Sequence, residues 1–223
     1  MNSWVFKAMK STIGQKWLMG LSGLFMIFFL LGHMSGNMLI YAGPEAINTY
    51  AETLRKFPAL LWAFRILSVV ALVVHVVTAV VLTKRNRAAN PIPYASSAWK
   101  GSSWSSRNMG MTGFVILLYI IYHLAHFTWR LTHPELFSEL DAFDAYQMVI
   151  LSFQEPWLVG LYVFATFTVC LHLTHSISSS LQTLGINHPK YNEAIRRLGD
   201  FLAIVLFLGF SSIPVAVLLG ILS

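Results

Sequence analysis

Five long apolar segments alternate with shorter polar connections along the chain. They lie near residues 17–41, 60–82, 109–131, 157–184 and 201–222. Each has roughly the 20 residues that an α-helix needs to cross a bilayer. The composition agrees, because 56% of the residues are hydrophobic and only 11% are charged, against about a quarter in soluble domains. The pattern predicts an all-α integral membrane protein in which residues 1–223 form one bundle of five transmembrane helices.

The charges between these segments predict how the bundle is oriented. Basic residues cluster before the first segment and in the second and fourth connections, whereas the third connection, residues 132–156, has five acidic residues and no lysine or arginine. Because positive charge marks the cytoplasmic side, we expect a cytoplasmic N-terminus and an outside C-terminus. The net charge of +6 therefore reflects topology rather than nucleic-acid binding. In the first connection, Glu45 to Phe57 is expected to form a short surface helix before Pro58.

Four histidines lie inside four different apolar segments. An ionisable side chain at membrane depth is costly, so each one is a candidate for a functional role. At about 1.5 Å per residue, His33 and His123 lie at a similar depth below the outer ends of their segments. His75 and His172 lie nearer the inner ends of theirs. The charge-based topology thus predicts an outer pair, His33 with His123, and an inner pair, His75 with His172.

Two pairs of histidines at two depths are the ligand set of two stacked haems. A haem iron takes two axial ligands, and two imidazoles leave no open position for oxygen, which suits electron transfer. The single cysteine, Cys170, excludes an internal disulfide and a Cys-x-x-Cys-His site, so any haem is held non-covalently. A lone buried histidine is more often a hydrogen-bonded packing residue, but four paired by depth favour ligation. The sequence therefore predicts a membrane cytochrome b with two b haems.

Other polar residues lie close to these ligands in the sequence. His126 and His175 each follow a predicted ligand by three residues, on roughly the same helix face. Either can bond a haem propionate, line a quinone pocket, or simply bond a neighbouring helix. Arg65 and Arg130 are candidate partners for haem propionates, with lipid headgroups as the alternative. Glycines beside the ligands are compatible with the approach of a flat macrocycle or a second helix.

A quinone site near the outer pair is what the family resemblance described next implies, and a quinone needs protons as well as electrons. Glu52 in the first connection and His126 are the candidate proton carriers. Trp129 can pack against a quinone ring, although an interfacial tryptophan is also a common membrane anchor. Glu52 can equally be an ordinary surface carboxylate of a short helix.

Several ordered motifs resemble one protein family. They are His33-Met-Ser-Gly-Asn37, Gly43-Pro-Glu-Ala-Ile-Asn48-Thr-Tyr50-Ala51, His75 through Leu82 to Asn86-Arg87, Arg107-Asn-Met109 through Thr112-Gly113 to His123, and His172-Leu-Thr-His175 through Gln182-Thr-Leu-Gly185. Together they resemble the diheme cytochrome b membrane anchor of succinate:quinone oxidoreductases, the succinate dehydrogenases and fumarate reductases, in the form with a single large anchor subunit. The likeness covers nearly the whole chain.

The resemblance implies a function and partners. The family's ligand positions fall on His33 and His123 for the distal haem and on His75 and His172 for the proximal haem. A flavoprotein subunit and an iron–sulfur subunit would bind the cytoplasmic face of a bacterial cytoplasmic membrane, and the complex can form a higher oligomer. Electrons would pass between succinate and a quinone, often menaquinone, with no succinate chemistry in this chain. The alternatives are a diheme anchor of a hydrogenase or formate dehydrogenase, and a transporter with histidine proton relays.

Overall fold

A computed structural model describes residues 4–89, 103–138, 140 and 144–223. Its regular elements are helices, with no strand in those ranges. Five of them are long and apolar enough to cross a membrane: Thr12–Ala42, Pro58–Ala89, Met109–Thr128, Pro156–Thr183 and Pro189–Leu218. The predicted class, an all-α multi-pass membrane protein, is confirmed at this level.

The spanning helices are joined by short helices at the two ends of the bundle. In chain order the elements are α1 (Trp4–Lys10), α2 (Thr12–Asn37, continued by a 3-10 turn Met38–Ala42), α3 (Pro44–Lys56), α4 (Pro58–Ala89), α5 (Trp104–Arg107), α6 (Met109–His123, continued by a π-helical turn Leu124–Thr128), α7 (Pro134–Phe137), α8 (Ala145–Phe153), α9 (Pro156–Thr183) and α10 (Pro189–Leu218). Helix α3 is the surface helix expected between the first two spans.

Two helices extend well beyond the apolar segments that reveal them. Helix α4 continues past residue 82 to Ala89, and α10 begins at Pro189 rather than near residue 201. Hydropathy marks only the part of a helix that can lie in hydrocarbon, whereas the hydrogen-bonded backbone continues into polar residues. At α10 the extension is supported by Glu193, which accepts hydrogen bonds from Arg196 and Arg197 one turn later.

The spans form a four-helix arrangement with a fifth helix outside it. Helices α2 and α9 pack against each other at the centre, α4 packs on α2, and α6 packs on α9. In cross-section the helices α4, α2, α9 and α6 follow one another as the corners of a square. Within the described residues α4 and α6 do not pack closely on one another, so the square is open between them. Helix α10 lies along α9 and also contacts α2. Going round the square, α4 is therefore diagonal to α9, and α2 is diagonal to α6.

The end of the bundle near α3 and α8 is closed by a small polar and apolar cap. The Asn48 amide donates to Asp144 at 3.1 Å and accepts the backbone N–H of Tyr146 at 3.1 Å. Buried Ile47 and Ile150 belong to the same hydrophobic cluster beneath these bonds. The cap therefore ties the first connection to the third one at the end of the bundle nearest His33 and His123.

Candidate functional site

The structure brings the four predicted histidines together as two pairs. The ring centroids of His33 and His123 are 6.0 Å apart, and those of His75 and His172 are 6.4 Å apart. These are the pairs expected from depth. In both cases the two partners come from helices on opposite corners of the square, α2 with α6 and α4 with α9. Side chains on diagonal helices of a four-helix bundle point into the same central space.

The separation within each pair suits two axial ligands of one metal. An imidazole nitrogen binds a transition metal at about 2 Å and lies about 1 Å from its ring centroid, so two axial imidazoles place their centroids about 6 Å apart. Both pairs have this spacing. Among the described residues no three His, Cys, Asp or Glu side chains converge as a metal site would require. A haem iron, whose equatorial ligands come from the porphyrin, needs only two.

The inner pair has hydrogen-bond partners on one nitrogen of each ring. His75 Nδ1 lies 3.1 Å from the backbone carbonyl of Met19 and 3.4 Å from Ser22 Oγ. His172 Nδ1 lies 3.0 Å from Thr112 Oγ1. In both cases the bonded atom is Nδ1, and the Nε2 atoms are left for a ligand. A metal-bound histidine usually has this arrangement, with its second nitrogen held by a neighbouring group.

Two glycines make room for the same two imidazoles. A β-carbon at Gly23 would lie 3.2 Å from Cε1 of His75, and one at Gly113 would lie 3.4 Å from Cε1 of His172. Even a β-carbon at Gly23 would press on the His75 ring, whereas at Gly113 a β-carbon would touch the His172 ring and only a larger side chain would displace it. From the sequence these glycines were compatible with either macrocycle or helix packing. In the structure they admit the histidine of the helix that faces them.

The outer pair lies among aromatic rings rather than polar partners. His33 stacks on Phe29, with ring centroids 5.5 Å apart, and lies 5.8 Å from Phe210 of α10. His123 lies 5.7 Å from Tyr119 and contacts Phe127 and Tyr162 as well. Its Nδ1 atom is buried with no hydrogen-bond partner in the described part of the chain. A buried unpaired ring nitrogen is unusual in a folded protein, and its surroundings fit a bound group such as haem.

His126 lies in the protein interior, where it has hydrogen-bond partners on helices α8 and α9. Its side chain is completely buried. The Tyr162 hydroxyl lies 2.8 Å from Nδ1, and Ser152 Oγ lies 3.3 Å from Nε2. Because Ser152 donates its own proton to the Met148 carbonyl at 2.6 Å, its oxygen accepts from Nε2–H. Both ring nitrogens are therefore in use, as in the alternative of a packing histidine that bonds neighbouring helices.

The outer charged candidates form a group that includes an arginine missed in the sequence. Burial, then the positive charges of Arg130 and Arg65, lower the pKa of the Arg55 guanidinium from its ordinary value, and Glu52 opposes that shift. Arg130, Arg65 and Glu52 therefore each lie within electrostatic range of Arg55. Three arginines with one carboxylate leave a net positive site. In the sequence, Arg55 stands at the basic end of the surface helix in the first connection. Its charge was interpreted only as a determinant of membrane topology.

The remaining candidates lie at less enclosed positions. Trp129 is exposed and ends the π-helical turn after α6, just before Arg130, which adopts a left-handed backbone with φ 52° and contacts the Phe137 ring. Arg65 lies over Trp62 on the outer face of α4. His175 is half-buried one turn after His172. The structure does not place these four side chains in contact with the paired rings.

A cleft near the inner pair was not expected from the sequence. It has a volume of about 340 Å³ and lies between the beginning of α2 and the end of α9. Its polar lining comes from Lys16, Ser179, Gln182 and Thr183. A cation and three uncharged polar groups are suited to bind a carboxylate or a carbonyl oxygen.

No protein-family model, curated protein or solved structure matches the chain. The family membership suggested by the motifs is therefore a proposal, supported by the residues and geometry of this chain.

Proposed function

We propose that the chain is the membrane-anchor and electron-transfer subunit of a succinate:quinone oxidoreductase, with two non-covalent b haems. The observation that carries the proposal is the geometry of the four histidines: two pairs on diagonal helices, with ring centroids 6.0 and 6.4 Å apart. The ordered motifs that resemble the diheme anchors select this complex over other diheme proteins. In this proposal a flavoprotein subunit and an iron–sulfur subunit bind the cytoplasmic face and carry out the succinate chemistry.

Each pair of histidines has one task in this proposal. His75 and His172 hold the haem nearer the cytoplasmic partner, and His33 and His123 hold the haem nearer the outer face. A bound haem supplies a reversible one-electron carrier. Each haem would be held by two imidazoles of this chain, which would leave no position for oxygen. Aromatic side chains such as Phe29 and Phe210 surround the outer pair and exclude water from it.

The outer arginines and Glu52 are proposed to serve haem propionates and quinone. Arg65 and Arg130, now joined by Arg55, provide positive charge for propionate carboxylates. Glu52 lies in the same group, on an exposed face of α3 where it can exchange protons with water. Trp129 is exposed close to Arg130, at a position where a quinone ring could pack. Menaquinone or another membrane quinone is the proposed substrate.

Absorption spectroscopy of the purified complex tests the central claim. A reduced-minus-oxidised spectrum should show low-spin b haem, and a pyridine haemochrome assay should give two haems per chain. An absence of haem bands would leave the histidines as relays of a transporter. Copurification of a flavoprotein and an iron–sulfur subunit is expected; hydrogenase or formate dehydrogenase subunits instead would reassign the anchor to those complexes.

Single substitutions then test the pairing. His75→Ala or His172→Ala should remove one haem, and His33→Ala or His123→Ala should remove the other. His133→Ala is the matched control, because this histidine lies outside both pairs and bonds Glu135 at the surface. Retention of two low-spin haems after any of the four ligand substitutions would contradict the assignment.

A further inference from the structure

Helices α2 and α6 carry the same short arrangement of residues. Each has a hydroxyl residue followed by glycine, Ser22-Gly23 in α2 and Thr112-Gly113 in α6, and each has an outer-pair histidine ten positions after the glycine. Eleven residues separate Ser22 from His33, and Thr112 from His123. This is three helical turns, or about 16 Å. The hydroxyl and the outer histidine therefore lie on one helix face at two levels.

In both helices the hydroxyl–glycine pair receives an inner-pair histidine from the helix that packs beside it in the square. Gly23 admits the His75 ring of α4, and Gly113 admits the His172 ring of α9. The hydroxyl beside each glycine lies next to Nδ1 of the same ring, at 3.4 Å for Ser22 and 3.0 Å for Thr112. The repetition of one contact in two places indicates that the hydroxyl acts on the imidazole and is not there only for packing.

A backbone carbonyl fixes the tautomer of His75, and the Thr112 contact is compatible with the same tautomer of His172. The Met19 carbonyl can only accept, so at 3.1 Å it requires that Nδ1 of His75 carries the proton. Ser22 donates its proton to the Leu18 carbonyl at 2.6 Å and presents lone pairs to the ring. Nε2 is then the unprotonated nitrogen of His75. At His172 the Nδ1–H tautomer lets Thr112 accept from the ring at 3.0 Å while its own proton goes to the carbonyl of Asn108 or Met109, at 3.1 or 3.2 Å.

The outer pair has no equivalent support. His123 Nδ1 is buried without a partner in the described residues, and the close neighbours of His33 are aromatic rings. The two levels of the bundle therefore differ in how their imidazoles are held. That difference does not follow from ligand identity, since all four residues are histidine.

We propose that Ser22 and Thr112 are positioning residues that hold the inner imidazoles as Nδ1–H tautomers and lower the reduction potential of the inner haem. The inference rests on the proposed function. An acceptor bonded to Nδ1–H makes the imidazole a more basic ligand. A more basic ligand favours the ferric iron, which carries the greater positive charge, so the potential falls. Removal of the acceptor should therefore raise it.

The two sites are expected to respond unequally. Thr112 is the one side chain seen bonded to Nδ1 of His172, so Thr112→Val removes that acceptor while it keeps the shape of the side chain. In Ser22→Ala, His75 still donates to the Met19 carbonyl. The Ser22→Ala variant should therefore shift the haem potential less than Thr112→Val does. Thr168→Val is the matched control, because Thr168 is also buried in a spanning helix but bonds only the Phe164 carbonyl of its own helix. Thr112→Ser keeps the hydroxyl, so its haem potential should equal that of the wild type.

The experiment is a redox titration of the purified complex, followed optically and by electron paramagnetic resonance. We expect Thr112→Val and Ser22→Ala to raise the midpoint of the same one of two haem waves, with a changed low-spin signal for that haem only. Thr168→Val should move neither wave. Unchanged midpoints in both variants at full haem content would overturn the proposal, as would equal shifts in the Thr168→Val control. If Thr112→Val does not assemble, Ser22→Ala and Thr112→Ser decide the result.

Failure of this inference is distinguishable from failure of the proposed function. Wild-type protein without haem, or with one wave, would contradict the diheme anchor itself. If the wild type shows two haem waves and neither hydroxyl substitution shifts them, the diheme-anchor proposal stands. Only the positioning role of Ser22 and Thr112 is then contradicted. Shifts in two different waves would contradict both the shared inner site and the pairing of His75 with His172.

Discussion

Gly113 provides the sharpest test of how closely the bundle is built around the inner histidines. A β-carbon added at Gly113 would lie 3.4 Å from Cε1 of His172, which is an ordinary van der Waals contact. Alanine should therefore be tolerated there. Valine adds two methyl groups beyond that β-carbon, and they have to displace the ring. Overpacking of this kind costs about 1–3 kcal/mol.

The cost should appear in haem binding rather than in folding alone. The ring that valine displaces is a proposed axial ligand, and 1.4 kcal/mol is about a factor of ten in affinity. Gly113→Val should thus weaken retention of the inner haem by about 5-fold to about 100-fold. Gly110→Val is the matched control in the same helix, because a β-carbon there meets nothing within 4 Å. Both variants introduce the same β-branched residue one turn apart.

Each purified variant is mixed with an excess of a haem-binding apoprotein, which captures any haem that dissociates. The haem that remains per chain is then measured by absorbance. We expect Gly113→Val to lose one haem and to keep the other, while Gly110→Val and Gly113→Ala keep both. Gly23→Val should behave like Gly113→Val, since its β-carbon would lie even closer to His75, at 3.2 Å. Equal haem retention in Gly113→Val and Gly110→Val would refute the reasoning, because only one of the two positions faces a histidine.

Two further predictions concern the outer end of the bundle. Tyr162→Phe removes the hydroxyl bonded to His126 and leaves a fully buried nitrogen unpaired, so it should cost about 1–3 kcal/mol of stability; thermal unfolding in detergent should show this with both haems retained, and loss of a haem would show that His126 has more than a packing role. Glu52→Gln should leave both haems reducible by succinate but abolish electron transfer to quinone; full quinone reductase activity in this variant would remove Glu52 from the mechanism and direct attention to the inner cleft.

The location of the spans could be predicted from the sequence because hydropathy is a local property. Any helix that crosses hydrocarbon must be apolar over about 20 residues, whatever its neighbours are. The same local reasoning placed His33 and His123 at one depth and His75 and His172 at another. It could not find the helical ends of α4 and α10, since helices continue into polar residues that no hydropathy pattern marks.

Which nitrogen bonds which group was decided only by the tertiary structure. No hydrogen-bonding role was predicted for Ser22 or Thr112 from the sequence, where Thr112 appeared only within a family motif, because small hydroxyl residues are common in membrane helices. Their importance depends on the packing of α4 on α2 and of α6 on α9, which brings an imidazole from the neighbouring helix to each hydroxyl. His126 shows the converse. Its sequence position, three residues after His123, is compatible with three roles, and only the folded structure shows that its partners are Tyr162 of α9 and Ser152 of α8. Depth is set along one helix, whereas hydrogen-bond partners are set by neighbours remote in sequence.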